Sequence, residues 1–401
     1  MSKGWPLVSM EDIFTIARGS SPRPIDSFLT DDPDGVNWVL ISDATESGKY
    51  INSTKKRIRA EGVKHSRVVQ PGDFLLTNSM SFGRPYIMNT SGCIHDGWLV
   101  LSPRHRNVSP DFFYHLLGSD FVYAEFVRRA AGATVKNLNI DLVKGVQLPL
   151  PPLEEQRRIA EVLDRAEALR AKRRAALAQL DTLTPSVFLD LFGEEDRNPM
   201  GWPIKRVCDY VAEFQGGKSI ESESGENAVT VSRVLKVSAV TGMKFLPHES
   251  KAVPDSYQPP LEHFTKPGDL LFSRANTTEL VGAVAYVETT PSNLLLSDKL
   301  WRFVWCQPPT VEPLFVWALF QTPTVRREIA RRATGTSGSM KNISQAKVFG
   351  ISTILPPLSL QREFARRIGA VEKLKATHRA SLAELDVFLI VLQHRAFRGE
   401  L

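Results

Sequence analysis

Cysteine is scarce, with three residues in 401, and Cys93, Cys208 and Cys306 stand far apart without CxxC spacing. That supports neither a disulfide framework nor a zinc site. Long apolar runs are missing too. No stretch approaches 18 apolar residues, and the opening MSKGWPLVSM has no apolar signal core, so the expectation is a cytoplasmic protein with no membrane partner. Catalytic motifs are equally absent. There is no GxxxxGK[ST] phosphate loop, the approach at 335–341 having the wrong glycine spacing, and no HExxH among eight scattered histidines. Asn198-Pro199-Met200-Gly201 lacks the second proline and the aromatic of an amino-methyltransferase motif. The chain alone is therefore expected to be non-catalytic, with no metal and no cofactor of its own. Its net charge of +6 permits a nucleic-acid partner without demonstrating one.

What the chain does have is a long helical pattern at 149–183. Pro151 and Pro152 preset a helix start, and Glu154 and Glu155 suit the positive end of its dipole. Ile159, Val162, Ala166, Leu169, Arg173, Ala176, Leu180 and Leu183 follow 3–4–3–4 spacing, a heptad seam that predicts pairing with another helix. At 1.5 Å per residue the rod would be roughly 45 Å long. The same pattern returns 205 positions later, where Pro356, Pro357, Leu358, Gln361 and Arg362 answer Pro151, Pro152, Leu153, Gln156 and Arg157. A second seam follows at Phe364, Ile368, Val371, Lys375, His378, Leu382, Leu385, Leu389 and Leu392. Arg173 and His378 occupy equivalent seam positions, where a polar residue sets register or sends its head to water.

The repeat covers nearly the whole chain. Gly4-Trp5-Pro6 is answered by Gly201-Trp202-Pro203, Pro71-Gly72-Asp73 by Pro267-Gly268-Asp269, and Lys136-Asn137-Leu138 by Lys341-Asn342-Ile343. Between these anchors the copies diverge. The expected organisation is a first domain over 1–148, a spacer helix over 149–184, a linker over 185–200 begun by a break at Thr184-Pro185, a second domain over 201–355 and a second spacer helix over 356–401. Short β-type runs at 38–41, 74–76 and 97–101, with helices at 111–117 and 121–129, predict an α+β domain. The second domain repeats the plan through 231–240, Leu270–Ser273, 281–287 and 300–304. Short connections require the two long helices to run antiparallel.

In these anchors the chain resembles the specificity subunits of type I restriction–modification systems. The resemblance rests on GWP at each repeat start, the PGD-plus-strand segment, GxxxKN[LI] at 132–138, LPxPPLxEQxxIAxxLD at 148–164 and AFRGEL at 396–401. In the second copy Leu360 replaces Glu155 and Ile368 replaces Leu163, so that anchor is looser. The resemblance implies two target-recognition domains with short-strand sheets, joined by two long antiparallel coiled-coil helices. They would read an asymmetric bipartite site on double-stranded DNA. The chain would recruit two methyltransferase subunits, and through them motor–nuclease subunits. S-adenosylmethionine, ATP and Mg would belong to those partners. The other reading is a coiled-coil scaffold that organises protein partners without specific DNA binding.

For DNA contacts, an Arg fork suits guanine O6/N7 and an Asn amide suits adenine N6/N7. Arg84, Arg274, Asn78 and Asn276, each following the strand after a PGD turn, are base-reading candidates. Lys55, Lys56, Arg57, Lys218 and Arg233 suit phosphates, which position without reading. For each of these the alternative is a solvated surface or a local turn bond. Lys136, Asn137, Lys341 and Asn342, shared by both copies, shape a loop or bind backbone. Gln156, Arg157 and Arg158, with Gln361 and Arg362, offer a repeated surface and so a repeated partner site.

Overall fold

The computed structural model describes residues 4–78, 83–130, 138–220, 232–254, 256–337 and 340–401. The chain forms two compact units, Met1–Ala175 with Ala380–Leu401, and Ala176–Arg379. The long helices Leu153–Phe192 and Leu358–Phe397 each contribute to both.

In the first unit one sheet runs in the spatial order Phe14–Arg18, Trp98–Pro103, Phe74–Thr77, Pro85–Met88, Tyr50–Ile51. All four residues of Phe74–Thr77 are buried, as its unbroken apolar run requires of a strand covered on both faces. On one face Phe74, Leu76, Leu99 and Leu101 meet Phe112 and Phe113 of the helix Pro110–Leu117. On the other, Leu75, Tyr86, Trp98 and Val100 meet Val39 of a second five-stranded sheet. There Val36–Val39 pairs in parallel with Gly92–Ile94. Trp98 crosses this layer and donates its indole N–H to the Val39 carbonyl at 3.2 Å.

The second unit repeats the two-sheet frame with fewer described strands in each sheet. Val211–Gly216, Leu300–Trp305, Leu270–Ser273 and Val284–Tyr286 form the main sheet, and Arg233–Leu235 pairs in parallel with Leu294–Leu295. The run expected over 231–240 is extended only at Arg233–Leu235, because Ser238–Thr241 turns helical to bury Ala239 and Val240. A further sheet of Ala275–Asn276, Met340–Asn342 and Thr334–Ser337 completes the unit. The PGD motifs are turns in both copies. Gly72 and Gly268 take φ of 92° and 93°, and their N–H groups donate to the Met88 and Val287 carbonyls at 2.8 Å. Asp73 and Asp269 accept from the Gln70 and Lys266 N–H groups. Only glycine holds that φ without strain.

The helix pairing is antiparallel within each unit, and its seam differs from the sequence reading. In the first unit Ile159, Leu163 and Ala166 pack with Leu389, Leu392, Ala396 and Phe397, and Arg170 pairs with Asp386 at 2.5 Å. Leu169 is 55% exposed and Leu183 38% exposed. The buried positions step 4–3 from Ile159 rather than 3–4, which places Leu163 and Arg170 where Val162 and Leu169 were expected. Val162 packs at the margin, Ala176 and Arg173 are half-buried, and Leu180 is buried. On the second helix Phe364, Ile368, Leu389 and Leu392 are buried, while Val371, His378, Leu382 and Leu385 are half-buried. Lys375 is buried, reaching Glu372 at 2.7 Å and Asp181 at 3.0 Å.

The break expected at Thr184-Pro185 does not occur, and the first helix runs on to Phe192 with Pro185 inside it. Proline removes one helical N–H. The clustered, mostly edge-to-face rings of Phe188, Phe192, Phe315 and Phe364, with centroids 4.9–5.9 Å apart, outweigh that loss by carrying the last turn into the second core. Just beyond, Glu195 accepts from Thr322 Oγ1 at 2.5 Å, and burial pushes its carboxyl up to about 7. A raised folded-state value gives stability that is present in acid and lost as pH rises through about 7. Between pH 5 and 8 the protein should lose about 1–2 kcal/mol, a figure discounted for partial exposure. Thermal melts of Glu195→Gln should not show this slope, and a parallel slope in the variant would remove Glu195 as its source.

Candidate nucleic-acid interface

Both units build one local frame from unlike side chains. In the first, Gly19 lies so close to the turn after Gly92–Ile94 that a Cβ would stand 2.0 Å from the His95 carbonyl oxygen. In the second, a Cβ on Gly217 would stand 1.8 Å from the Leu296 oxygen. Each turn then offers an aspartate carbonyl to the residue after the central strand. Asn78 Nδ2 donates to the Asp96 carbonyl at 2.7 Å, and Arg274 Nε donates to the Asp298 carbonyl at 2.7 Å. Their backbones match as well, with N–H groups on the Gly97 and Lys299 carbonyls and oxygens accepting from Leu138 and Ile343.

Arg274 is therefore the counterpart of Asn78, not of Arg84. The two also differ in what they expose. Asn78 is 3% exposed and its amide is held by the Asp96 carbonyl, so it fixes the turn instead of reaching a base. Arg274 keeps a partly exposed guanidinium, 5.8 Å from the Trp301 ring and 3.9 Å from the Asp298 carboxylate.

Cations that lack acid partners gather on this frame. Elsewhere exposed arginines pair along their own helices, as Arg128 does with Glu125, Arg157 with Glu154 and Arg165 with Glu161. In the first unit Arg18, Arg23 and Arg67 are exposed, and among the described residues none pairs with a carboxylate. Arg18 Nε donates to the Asp96 carbonyl at 3.0 Å and Arg67 Nε to the Arg18 carbonyl at 3.3 Å. Arg23 lines a cleft of about 380 Å³ with Trp38, His95 and Asp96. His95 accepts the Gly97 N–H on Nδ1, and burial lowers its pKa, which favours the neutral ring. In the second unit Lys218 lies 5.7 Å from the Tyr257 ring, and Lys299 is exposed in the turn itself.

The other sequence candidates fall in different places. Asn276 and Lys341 face each other across the small sheet beside Arg274, with Asn342 next to them. The Asn276 amide donates to Thr241 Oγ1 at 3.2 Å, and Lys341 Nζ to the Gly335 carbonyl at 2.7 Å. Arg84 is exposed, 5.4 Å from the Tyr86 ring. Lys55 pairs with Glu46, and Arg57 donates to the carbonyls of Asp32 and Pro33, while Lys56 is exposed on the same strand. Arg233 is held by Ser250 through Nε and Nη2, each at 3.0 Å. Lys136 and Asn137 lie outside the described residues.

The expected partner surface also changes. Gln156 and Gln361 are fully buried and act as matched clamps. Gln156 accepts the Ser109 N–H at 2.9 Å and donates to the Pro151 and Asn107 carbonyls. Gln361 accepts the Glu312 N–H at 2.9 Å and donates to the Pro356 and Thr310 carbonyls. Of that set, Arg157, Arg158 and Arg362 remain exposed. Arg158 bonds Glu155 and the Leu401 carbonyl.

No group of three metal-ligating side chains occurs among the described residues, and no described helix is long and apolar enough to cross a membrane. Residues 2–179 match the family described as the type I restriction modification DNA specificity domain. The type I restriction enzyme EcoKI specificity subunit of Escherichia coli strain K12 is 24% identical over the whole chain and 90% of its own length. A solved structure from work on complex assembly and conformational transition of the type I R-M system superposes with a TM-score of 0.63 at 19% identity. It covers 100% of this chain and 99% of the other. The type I restriction-modification S subunit from M. genitalium gives a TM-score of 0.56 at 14% identity, over 98% and 96% of the two chains. Over residues 2–179 the chain matches the specificity domain of type I restriction–modification systems, and along its whole length it is similar to their specificity subunits.

Proposed function

We propose that the chain reads a bipartite, asymmetric site on duplex DNA, one half-site per unit, and contributes no chemistry of its own. The observation that carries this reading is the repeated frame with unlike contents. Asn78 and Asp96 stand in one unit where Arg274 and Asp298 stand in the other. Equal frames would dock on DNA alike, and unequal side chains would read different bases. The unpaired arginines favour this over a scaffold that binds no DNA. Two methyltransferase subunits would dock at the exposed starts of the two long helices, around Arg157 and Arg362, and would bring S-adenosylmethionine, ATP and Mg chemistry with their own assembly.

Selection from a random duplex pool tests the reading. Arg274→Ala should cost about 1–3 kcal/mol at one base pair of one half-site and leave the other half-site intact. Equal loss in both would overturn the assignment. Native mass measurement of the same purified assembly counts the methyltransferase copies, and a single copy would refute the repeated docking site.

A further inference from the structure

Asp96 is an acid set among arginines yet paired with none of them. Its carbonyl is the structural atom, taking the N–H groups of Asn78 and Arg18. Its carboxylate has one described hydrogen bond, from Ser21 Oγ at 3.3 Å, which is long for a charged acceptor. The residue is exposed at the mouth of the cleft with Arg23, Trp38 and His95. A free carboxylate on a DNA-facing surface repels phosphates, so its presence there calls for a donor on the ligand. In the major groove the donors are the exocyclic amino groups, N4 of cytosine and N6 of adenine. An ionised carboxylate only accepts. It therefore rewards an amino group and penalises the guanine O6 and thymine O4 acceptors.

We propose that Asp96 is a specificity-determining residue of the first unit, accepting from the exocyclic amino group of one cytosine or adenine in its half-site. The second unit inverts this chemistry. There Asp298 lies 3.9 Å from the Arg274 guanidinium, and the frame presents a donor instead of an acceptor. The inference rests on the reading that the chain recognises DNA, and the experiment separates the two.

The full chain, purified with the subunits it assembles with, is first used to select both half-sites from random duplexes. Each adenine of the first half-site is then replaced by purine, and each cytosine by 2-pyrimidinone, so that only the amino group is lost. One replacement should weaken wild-type binding tenfold or more, and whether it is a purine or a pyrimidinone identifies the base. Asp96→Ala should lose that sensitivity, responding less than twofold, while its second half-site stays as selected. Asp96→Asn keeps the side-chain shape and a Ser21 partner and serves if the alanine variant melts early. Its amide both donates and accepts, so the strict amino requirement should relax there too. Variants that keep the full wild-type response to every amino deletion overturn the role of Asp96. A wild-type assembly that selects no sequence overturns the DNA reading itself.

Discussion

Removing Arg18, Arg23 and Arg67 together should lower DNA affinity about 10- to 100-fold at 0.15 M salt. Each phosphate contact contributes about 0.9 to the slope of log K against log salt, so the slope should fall by up to about 2.7. The three guanidiniums are exposed and meet no carboxylate among the described residues. Their loss breaks no described ion pair and only the two exposed hydrogen bonds from Arg18 and Arg67 to backbone carbonyls, so melting temperature should fall only slightly. Half-site sequence preference should also persist, because phosphate contacts position the protein without reading it. Titration at several salt concentrations measures the effect. An unchanged slope in a folded variant would place the DNA on another face.

The second large effect is on stability. Gln156→Ala strands the Ser109 N–H and the carbonyls of Pro151 and Asn107. An unsatisfied buried group costs about 1–3 kcal/mol, so the total should be about 3–5 kcal/mol after some relaxation and water entry. Gln361→Ala should cost a similar amount, or slightly less because its bond to the Thr310 carbonyl is already 3.5 Å long. Denaturant unfolding of the two variants measures this. A cost under 1 kcal/mol in both would mean that water replaces the amide without difficulty.

The Gln clamps show where sequence reasoning reached and where it stopped. The PPLxxQR repeat marks the helix starts correctly, and the two-unit α+β frame with antiparallel long helices was legible from the anchors alone. A repeated motif, however, cannot say whether it repeats for a shared partner or for a shared core. Gln156 and Gln361 belong to the core because the chain before each helix turns its N–H and carbonyl groups toward the glutamine. The seam was misplaced for a related reason. Leu169 is apolar and Arg170 is not, yet Arg170 faces Asp386 and the leucine faces outward. Hydrophobic spacing has no means of seeing a charge pair on the packed side.

Arg84 and Arg274 group together as candidates in sequence although they are not equivalent, since the offset of 196 from Pro71 to Pro267 carries Asn78 onto Arg274. Gly83 follows Thr77 by six residues, whereas Gly282 follows Ser273 by nine, although each glycine N–H donates back to that earlier carbonyl at 2.7 Å. The extra residues come after Asn78 and Arg274, so they leave that pairing in place and shift only Arg84 out of register. Arg18, Arg23, Arg67 and Asp96 span nearly eighty positions and form no motif. Only the sheet order, which sets Phe14–Arg18 against Trp98–Pro103, gathers them.

The division of the long helices between the units decides how a head could be exchanged for a foreign one. The first unit holds the start of one helix and the end of the other, and Phe112 packs on Phe397 with ring centroids 5.9 Å apart. A transplant cut at Pro149 would bring new strands but leave Phe397 and Gln156 behind as host residues. Such a chimera inherits a socket it did not shape. Donor segments that supply an aromatic at position 112, and open backbone groups at 107 and 109, should graft without further change. Donors lacking them would need the host's last helical turns exchanged as well, which makes residues 380–401 part of the replaceable cassette rather than of the shared chassis.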